Sequence, residues 1–301
     1  MNNQKVLVTG SSGFMGSHIA DILSENGYQV KLFDIVPSKF KKDEQDEYIG
    51  DILKIEDVQE AMKGCSIVYH FAAQADIDLS SDQPSQTINT NIKGTQNILE
   101  SMLKLGLKRL IFSSTIYVYS KLGSFYRVSK QACEKIIEEY KNQFDIDYTI
   151  LRFGSLYGPR ANEFNGILKF LNQALKENKI TRVGDGEEIR EYIHVKDAAV
   201  LSYEALNDEF LNKHLIITGN QQIRVKDLLL MIKEIFCGEI EIEFKKNIIE
   251  PHHYEITPYN YKPKIAKKIT PKVYYDLGQG IIDQIYDLQQ AVTKPEINKK
   301  K

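Results

Sequence analysis

Lys5-Val6-Leu7-Val8-Thr9-Gly10-Ser11-Ser12-Gly13-Phe14-Met15-Gly16 is the stretch whose reading decides the fold. Lys5–Val8 reads as a buried strand, and Ser17–Asn26 reads as a helix stopped by Gly27. Between them the glycines recur at every third position, as GxxGxxG rather than GxGxxG. Glycine lets the chain turn sharply and lets an anion approach the main-chain N–H groups at a helix start. Strand, glycine turn and helix in that order are the context in which such a motif signifies a dinucleotide cradle. Gly10, Gly13, Phe14, Met15 and Gly16 are then the residues that meet the pyrophosphate. A glycine-rich turn without a ligand is the plainer alternative, and the acid that follows weighs against it.

That acid is Asp34, at the end of a second predicted strand, Val30–Phe33. A carboxylate there accepts hydrogen bonds from an adenosine ribose and repels a 2′-phosphate, which favours NAD over NADP. A simple strand-end turn is the alternative role, and nearby Lys39 weakens the exclusion of NADP. Asp51 and Ile52 follow a presumed strand and are placed to reach the adenine edge. Phe71-Ala72-Ala73 offers small residues where backbone passes close to a cofactor.

Downstream, strands and helices alternate as in a Rossmann-type, doubly wound parallel α/β sheet. The predicted elements are a helix over Asp57–Lys63, a strand over Ser66–His70, a long helix over Thr90–Leu105 closed by Gly106, and a strand over Leu110–Ser113. A helix from Tyr126 to about Gln143 and a strand over Tyr148–Arg152 follow. After Tyr157-Gly158-Pro159-Arg160 the rhythm changes. Helices are predicted at Gly166–Lys176, Asp197–Leu206, Val225–Phe236 and Gly280–Ala291, with Arg190–Val195 extended. The expected division is a dinucleotide domain of residues 1–155 plus about 191–220, and a smaller mixed α/β substrate lobe of 156–190 plus 221–292. Residues 293–301 read as a flexible tail.

Chemistry enters with Tyr126-Arg127-Val128-Ser129-Lys130, about ten residues past Ser113-Ser114-Thr115. Spacing of four puts the tyrosine and lysine on one helical face. Tyrosine is a poor base at its ordinary pKa near ~10, and an ammonium one turn away is expected to draw it toward working pH. Thr115 supplies a second hydroxyl to hold a substrate oxygen. A bare YxxxK is common on surface helices, so its weight comes from the hydroxyl cluster and the glycine loop.

Taken together these motifs resemble the extended short-chain dehydrogenase/reductases of the nucleotide-sugar epimerase/dehydratase family. The resemblance runs through TGSSGFMG, HFAAQAD (His70–Asp76), Asn91-Ile92-Lys93-Gly94-Thr95, FSSTIYVYS (Phe112–Ser120), YRVSK, LRFGSLYGPR (Leu151–Arg160) and VGDGEEIREYIHVKD (Val183–Asp197). It implies a tightly held NAD that takes hydride from C4 of a nucleotide-linked sugar, with Thr115, Tyr126 and Lys130 as the triad. Gln74, Asn91, Ser113, Tyr126 and Lys130 join the cofactor set, and Gln74, Thr115, Ser155 and Arg190 join the substrate set. Arg190 has the guanidinium fork suited to a diphosphate. Tyr192 and His194 read as structural or as standing behind the residues that touch substrate, His194 as a satisfied histidine rather than a catalyst.

Departures from the family narrow the chemistry. Dehydratases carry an Asp-Glu pair after the threonine, where this chain has Ile116 and Tyr117, so loss of water is not expected. Ser155 stands where an asparagine is usual. Pro251-His252-His253-Tyr254 occupies the place of a diphosphate-binding arginine, making His252 and His253 either replacement donors or loop residues. The Ser120–Phe125 loop is short, which implies an open pocket and room for a larger sugar such as a heptose. A 4-epimerase is the leading expectation. A 4-dehydrogenase releasing the keto sugar, or a 4-ketoreductase, is the alternative, and a non-catalytic dinucleotide sensor is the rival of a different class. Steroid or flavonoid reductases have no use for YGPR and the VGDGEEIREYIHV stretch.

The bulk properties agree with an enzyme of small molecules. Across 301 residues, 39 basic side chains nearly balance 41 acidic ones, so no nucleic-acid surface is expected. Cys65, Cys133 and Cys237 have no CxxC spacing, which suits a reducing cytoplasm and argues against a metal site. No apolar stretch approaches membrane-spanning length, and the start leads straight into a strand, leaving no room for a signal peptide. Helices Thr90–Leu105 and Arg127–Gln143 carry apolar residues at helical spacing, and the family pairs such helices in a homodimer. A surface-polysaccharide pathway is an expectation of the family alone.

Overall fold

Val6, Leu7 and Val8 are all fully buried, and alternate side chains explain how: Val6 and Val8 enter one apolar cluster and Leu7 another on the opposite face. They belong to the central sheet of a computed structural model that describes residues 4–245, 255–258 and 266–293. The strands are β1 (Lys5–Thr9), β2 (Gln29–Asp34), β3 (Asp46–Ile49), β4 (Ile67–His70), β5 (Arg109–Thr115), β6 (Asp147–Phe153), β7 (Ser155–Tyr157), β8 (Lys179–Val183), β9 (Ile189–His194), β10 (Lys213–Ile217), β11 (Gln222–Arg224), β12 (Glu241–Lys245) and β13 (Ala266–Lys268). The helices are α1 (Phe14–Glu25), α2 (Ile55–Met62), α3 (Ile77–Asp82), α4 (Pro84–Ile88), α5 (Gly94–Leu105), α6 (Ser124–Phe144), α7 (Gly166–Glu177), α8 (Val195–Glu204), α9 (Val225–Ile235) and α10 (Leu277–Thr293).

Eight parallel strands form the main sheet in the order β13-β10-β6-β5-β4-β1-β2-β3. The chain builds outward from β1 to β3, then returns to lay β4 on the other side of β1. That reversal opens a crevice at the carboxyl ends of β1 and β4, where open α/β sheets bind ligands. Residues of α1 and α8 cover one face and residues of α2, α5 and α6 the other. A third cluster gathers α7, α9 and α10, including Leu171, Leu228 and Ile281. Small sheets β11-β9-β7 and β12-β8 lie beside it in the chain order.

Local differences from the predicted elements have physical causes. α1 starts at Phe14 rather than Ser17, because Gly16 sits inside its first turn, packed on the Gly10 backbone. The segment before α5 is not α-helical: Asn89–Lys93 forms wide π-type turns. There the Asn91 carbonyl accepts from the Thr95 hydroxyl at 2.7 Å and the Cys133 thiol at 3.3 Å. α3 and α4 were not foreseen, being too short to show a hydrophobic period. Their start is nonetheless signalled by Asp76, whose carboxylate accepts from the N–H groups of Asp78 and Leu79. Cys65, Cys133 and Cys237 are free thiols. Among the described residues no helix is long and apolar enough to cross a membrane, and no cluster of three or more His, Cys, Asp or Glu side chains is arranged to hold a metal.

Candidate active site

A cleft of about 950 Å³ runs along the carboxyl ends of the sheet, from the glycine loop to α7, β8 and β9. Gly10 adopts φ +69°, and a Cβ on it would lie 2.6 Å from the Ala72 nitrogen. A Cβ on Gly16 would lie 2.1 Å from the Gly10 carbonyl oxygen. Only hydrogen at these two positions allows the loop, α1 and the Phe71–Ala72 backbone to close up. No side chain caps α1 at Gly13, so its N-terminus is presented to the cleft by Gly13, Phe14, Met15 and Gly16, all of which line it. Asp34 lines the same end and accepts from the Ser12 N–H at 2.9 Å and the Ile35 N–H at 2.7 Å. Its carboxylate thus braces the loop as well as bordering the cleft. Asp51, Ile52, Phe71, Ala72, Ala73 and Gln74 complete this wall. A cradle closed to any Cβ, an uncapped helix start and a strand-end acid fit a dinucleotide.

The fit makes Gly16→Ala a direct probe of the cradle. Overpacking of this kind costs about 1–3 kcal/mol, and here the cost falls on the loop that holds the ligand. NAD affinity, measured by calorimetry on stripped protein, is expected to fall at least about tenfold. An unchanged affinity would place the dinucleotide elsewhere.

At the other end, β5 delivers Ser113 and Thr115 and α6 delivers Tyr126 and Lys130. Thr115 is buried, and its hydroxyl accepts from the Tyr117 N–H at 3.2 Å. Its side chain also hydrogen-bonds Tyr126, which is half-buried in the cleft. The start of α6 is held by the Ser80 hydroxyl, which accepts from the Tyr126 N–H at 3.2 Å. Lys130 is buried behind the wall. Its Nζ donates to the Ser113 carbonyl at 2.7 Å and stands 5.9 Å from the Tyr126 ring centroid.

Burial pushes the Tyr126 phenol up to about 12, and the hydrogen bond with Thr115 opposes this only in part. The Lys130 ammonium meanwhile donates to the Ser113 carbonyl. Burial also lowers Lys130 itself to about 8, against the opposing influence of Cys133 and Glu134.

The remaining sequence candidates divide. Ser155 and Arg190 line the cleft, and Arg190 donates to the carbonyls of Ile189 at 3.2 Å and Glu255 at 3.4 Å. Asn91 does not line it. Asn91 is buried behind, with Oδ1 accepting from the Gln74 N–H at 2.7 Å and Nδ2 donating to Ser129 Oγ at 2.8 Å, so it braces the Gln74 loop against α6. Tyr192, expected to be structural or to stand behind the substrate contacts, lines the cleft itself. His194 is only half satisfied: Nδ1 accepts from the Lys196 N–H at 3.3 Å, whereas Nε2 is buried without a hydrogen-bond partner and the ring stacks on Tyr275. His252 and His253 lie outside the described residues.

Sequence reasoning missed the far wall. Lys169 and Gln173 line the cleft one turn apart on α7, and Arg182 joins them from β8. Lys169 and Gln173 at i and i+4, on the face of α7 away from buried Ile167, Leu171 and Ala174, were the available signal. Tyr117 and Asp78 were missed as lining residues too.

Comparison with known proteins places this cleft in a lineage. The model of the NAD dependent epimerase/dehydratase family matches residues 6–217. A relative from Methanocaldococcus jannaschii named for UDP-glucose 4-epimerase activity is 30% identical, covering 92% of this chain and 95% of its own. The UDP-N-acetyl-alpha-D-glucosaminuronate decarboxylase of Bacillus cytotoxicus is 29% identical, covering 91% and 95%. Among solved structures, the UDP-glucose 4-epimerase of Thermotoga maritima with UDP-glucose superposes with a TM-score of 0.85 at 26% identity, over 96% of this chain and 100% of that one. The chain belongs to the NAD-dependent epimerase/dehydratase family, nucleotide-sugar enzymes of the extended short-chain dehydrogenase/reductase type.

Proposed function

We propose that the protein oxidises a nucleotide-diphosphate sugar at C4 through a 4-keto intermediate and acts as a nucleotide-sugar 4-epimerase. The observation that carries this reading is the juxtaposition of Thr115, hydrogen-bonded to Tyr126, with a glycine cradle and strand-end acid in one continuous cleft. Bound NAD supplies the hydride acceptor for C4 and a positive charge that draws the Tyr126 phenol down. Tyr126 then takes the proton of the C4 hydroxyl, Thr115 holds that oxygen, and Lys130 fixes the local charge from behind. Arg190, with Lys169 across the cleft wall, holds the diphosphate. Gln74 and Ser155 contact the sugar.

Dehydration is outside this repertoire, because neither Ile116, which is buried, nor Tyr117 carries a carboxylate. A 4-dehydrogenase that releases the keto sugar is the second reading. It is favoured by the short Ser120–Phe125 loop, in which Lys121, Leu122 and Phe125 are exposed, leaving room for a heptose-sized sugar. The division into a dinucleotide domain and a substrate lobe, a homodimer through α5 and α6, a cytoplasmic location and a place in surface-polysaccharide synthesis complete the proposal. Exposed Leu105, Val128 and Phe144 on those two helices support the dimer.

Absorbance at 340 nm, with nucleotide sugars added to the purified protein and no added cofactor, tests the reading. An epimerase gives no lasting rise but a new stereoisomer by NMR. A lasting rise identifies the dehydrogenase instead, and silence in both channels across the panel defeats both.

A further inference from the structure

α6, which carries Tyr126 and Lys130, begins at a point where its own chain cannot cap it. The residue before it, Gly123, adopts φ +100°, and a Cβ there would lie 2.5 Å from the Tyr117 ring. Ser124 follows at φ +48°. No capping side chain fits at position 123, so N–H groups of the first turn need acceptors from elsewhere. Ser80 of α3 supplies one. It is fully buried, its hydroxyl donates to the Ile77 carbonyl at 2.7 Å, and its oxygen accepts from the Tyr126 N–H at 3.2 Å. The Tyr126 carbonyl is gripped as well: Ser129 Oγ donates to it at 2.8 Å and accepts from Asn91 Nδ2 at 2.8 Å. Asn91 in turn holds both the N–H and the carbonyl of Gln74, and Asp76, two residues on, caps α3. These bonds close a circuit from Gln74 through Asn91, Ser129, Tyr126 and Ser80, and back along α3.

We propose that Ser80 is a positioning residue for the reaction: by capping α6 from α3 it fixes Tyr126 in register with Gln74. The inference rests on the nucleotide-sugar reading above, in which Tyr126 takes the C4 proton. Proton transfer requires the phenol within hydrogen-bond reach of the sugar oxygen, so the backbone that carries it must not drift. A helix end frays first at its outermost residues, and Tyr126 is the third residue of α6. Lys130, one turn deeper and bonded to the Ser113 carbonyl, keeps its place. Loss of the cap therefore acts on the phenol and not on the glycine cradle at the other end of the cleft. Because Gln74 and Tyr126 share one hydrogen-bonded circuit, a sugar held by Gln74 meets a phenol placed by the same bonds.

The test measures kcat and KM, by isomer formation or by absorbance at 340 nm. The probes are UDP-glucose, UDP-N-acetylglucosamine and UDP-glucuronate, and the same sugars on other nucleotide bases. Ser80→Ala should lower kcat by about 10–10²-fold, the scale of an ångström's misplacement, with KM and NAD content little changed. Ser80→Thr, which keeps the hydroxyl, should recover most of the rate. Ser202→Ala removes an equally buried hydroxyl, one that donates to the Ala198 carbonyl at 2.6 Å on α8, and should turn over as wild type. Amide hydrogen exchange at Tyr126 should quicken in Ser80→Ala and not in Ser202→Ala. A folded Ser80→Ala protein with wild-type kcat overturns the inference, as does a loss matched by Ser202→Ala or carried wholly by KM. The nucleotide-sugar reading survives each of those results as long as Tyr126→Phe loses turnover. If no probe reduces bound NAD or yields an isomer, that reading fails and takes this inference with it.

Discussion

Replacing Tyr126 with phenylalanine is expected to lower turnover by about 10²–10⁴-fold, the usual worth of a positioned acid–base group, while NAD is still bound. The substitution removes one oxygen and keeps the ring. The glycine cradle and Asp34 lie at the other end of the cleft and are untouched. Stability should change little, since the Thr115 hydroxyl keeps its bond from the Tyr117 N–H when the phenol oxygen is removed. Turnover by NMR and NAD content after gel filtration separate the two effects. Wild-type turnover in the variant would remove Tyr126 from the chemistry and bring the sensor reading forward. Loss of NAD together with turnover would mean that the side chain holds the cofactor rather than the proton.

The second large effect concerns stability. Glu134 lies one turn beyond Lys130 on α6 and is buried with Arg152 of β6. Its Oε1 accepts from Arg152 Nε at 3.0 Å and from the Ser114 hydroxyl at 2.5 Å, and its Oε2 accepts from Arg152 Nη2 at 2.6 Å. Arg152 also donates to the Tyr119 hydroxyl at 2.5 Å. Removing one partner leaves the other charge buried and uncompensated, so Glu134→Ala should lower the unfolding free energy by about 3–5 kcal/mol. A paired change to Leu at 134 and Met at 152 should cost much less, because no buried charge is stranded. Urea midpoints for the single and double variants check this; a loss under about 1 kcal/mol in the single variant would mean that water reaches Arg152. Because Ser114 adjoins Thr115 and Glu134 adjoins Lys130, the pair also holds β5 against α6 at the proposed triad.

The glycine loop and the Tyr126/Lys130 spacing were legible because each is a pattern within one or two turns of chain. The Rossmann sheet was legible because strands such as Lys5–Val8 and Leu110–Ser113 are built on continuous apolar runs, Val6–Val8 and Leu110–Phe112. α3 and α4 escaped because helices of six and five residues show no period. β10 and β13 escaped because membership of the sheet depends on their pairing with β6 and with each other, across gaps of roughly fifty to sixty residues.

By itself, then, the sequence determined the sheet type, the family, the cofactor class and the residues offered for proton transfer, since these follow from local spacing and side-chain chemistry. Tertiary structure alone decided that Asn91 braces rather than lines the cleft, that Lys130 is buried against the Ser113 carbonyl, and that the cations lining the cleft among the described residues gather on α7, β8 and β9. Those facts depend on which distant groups desolvate or face a side chain, and long-range packing sets that environment rather than the order of residues along the chain.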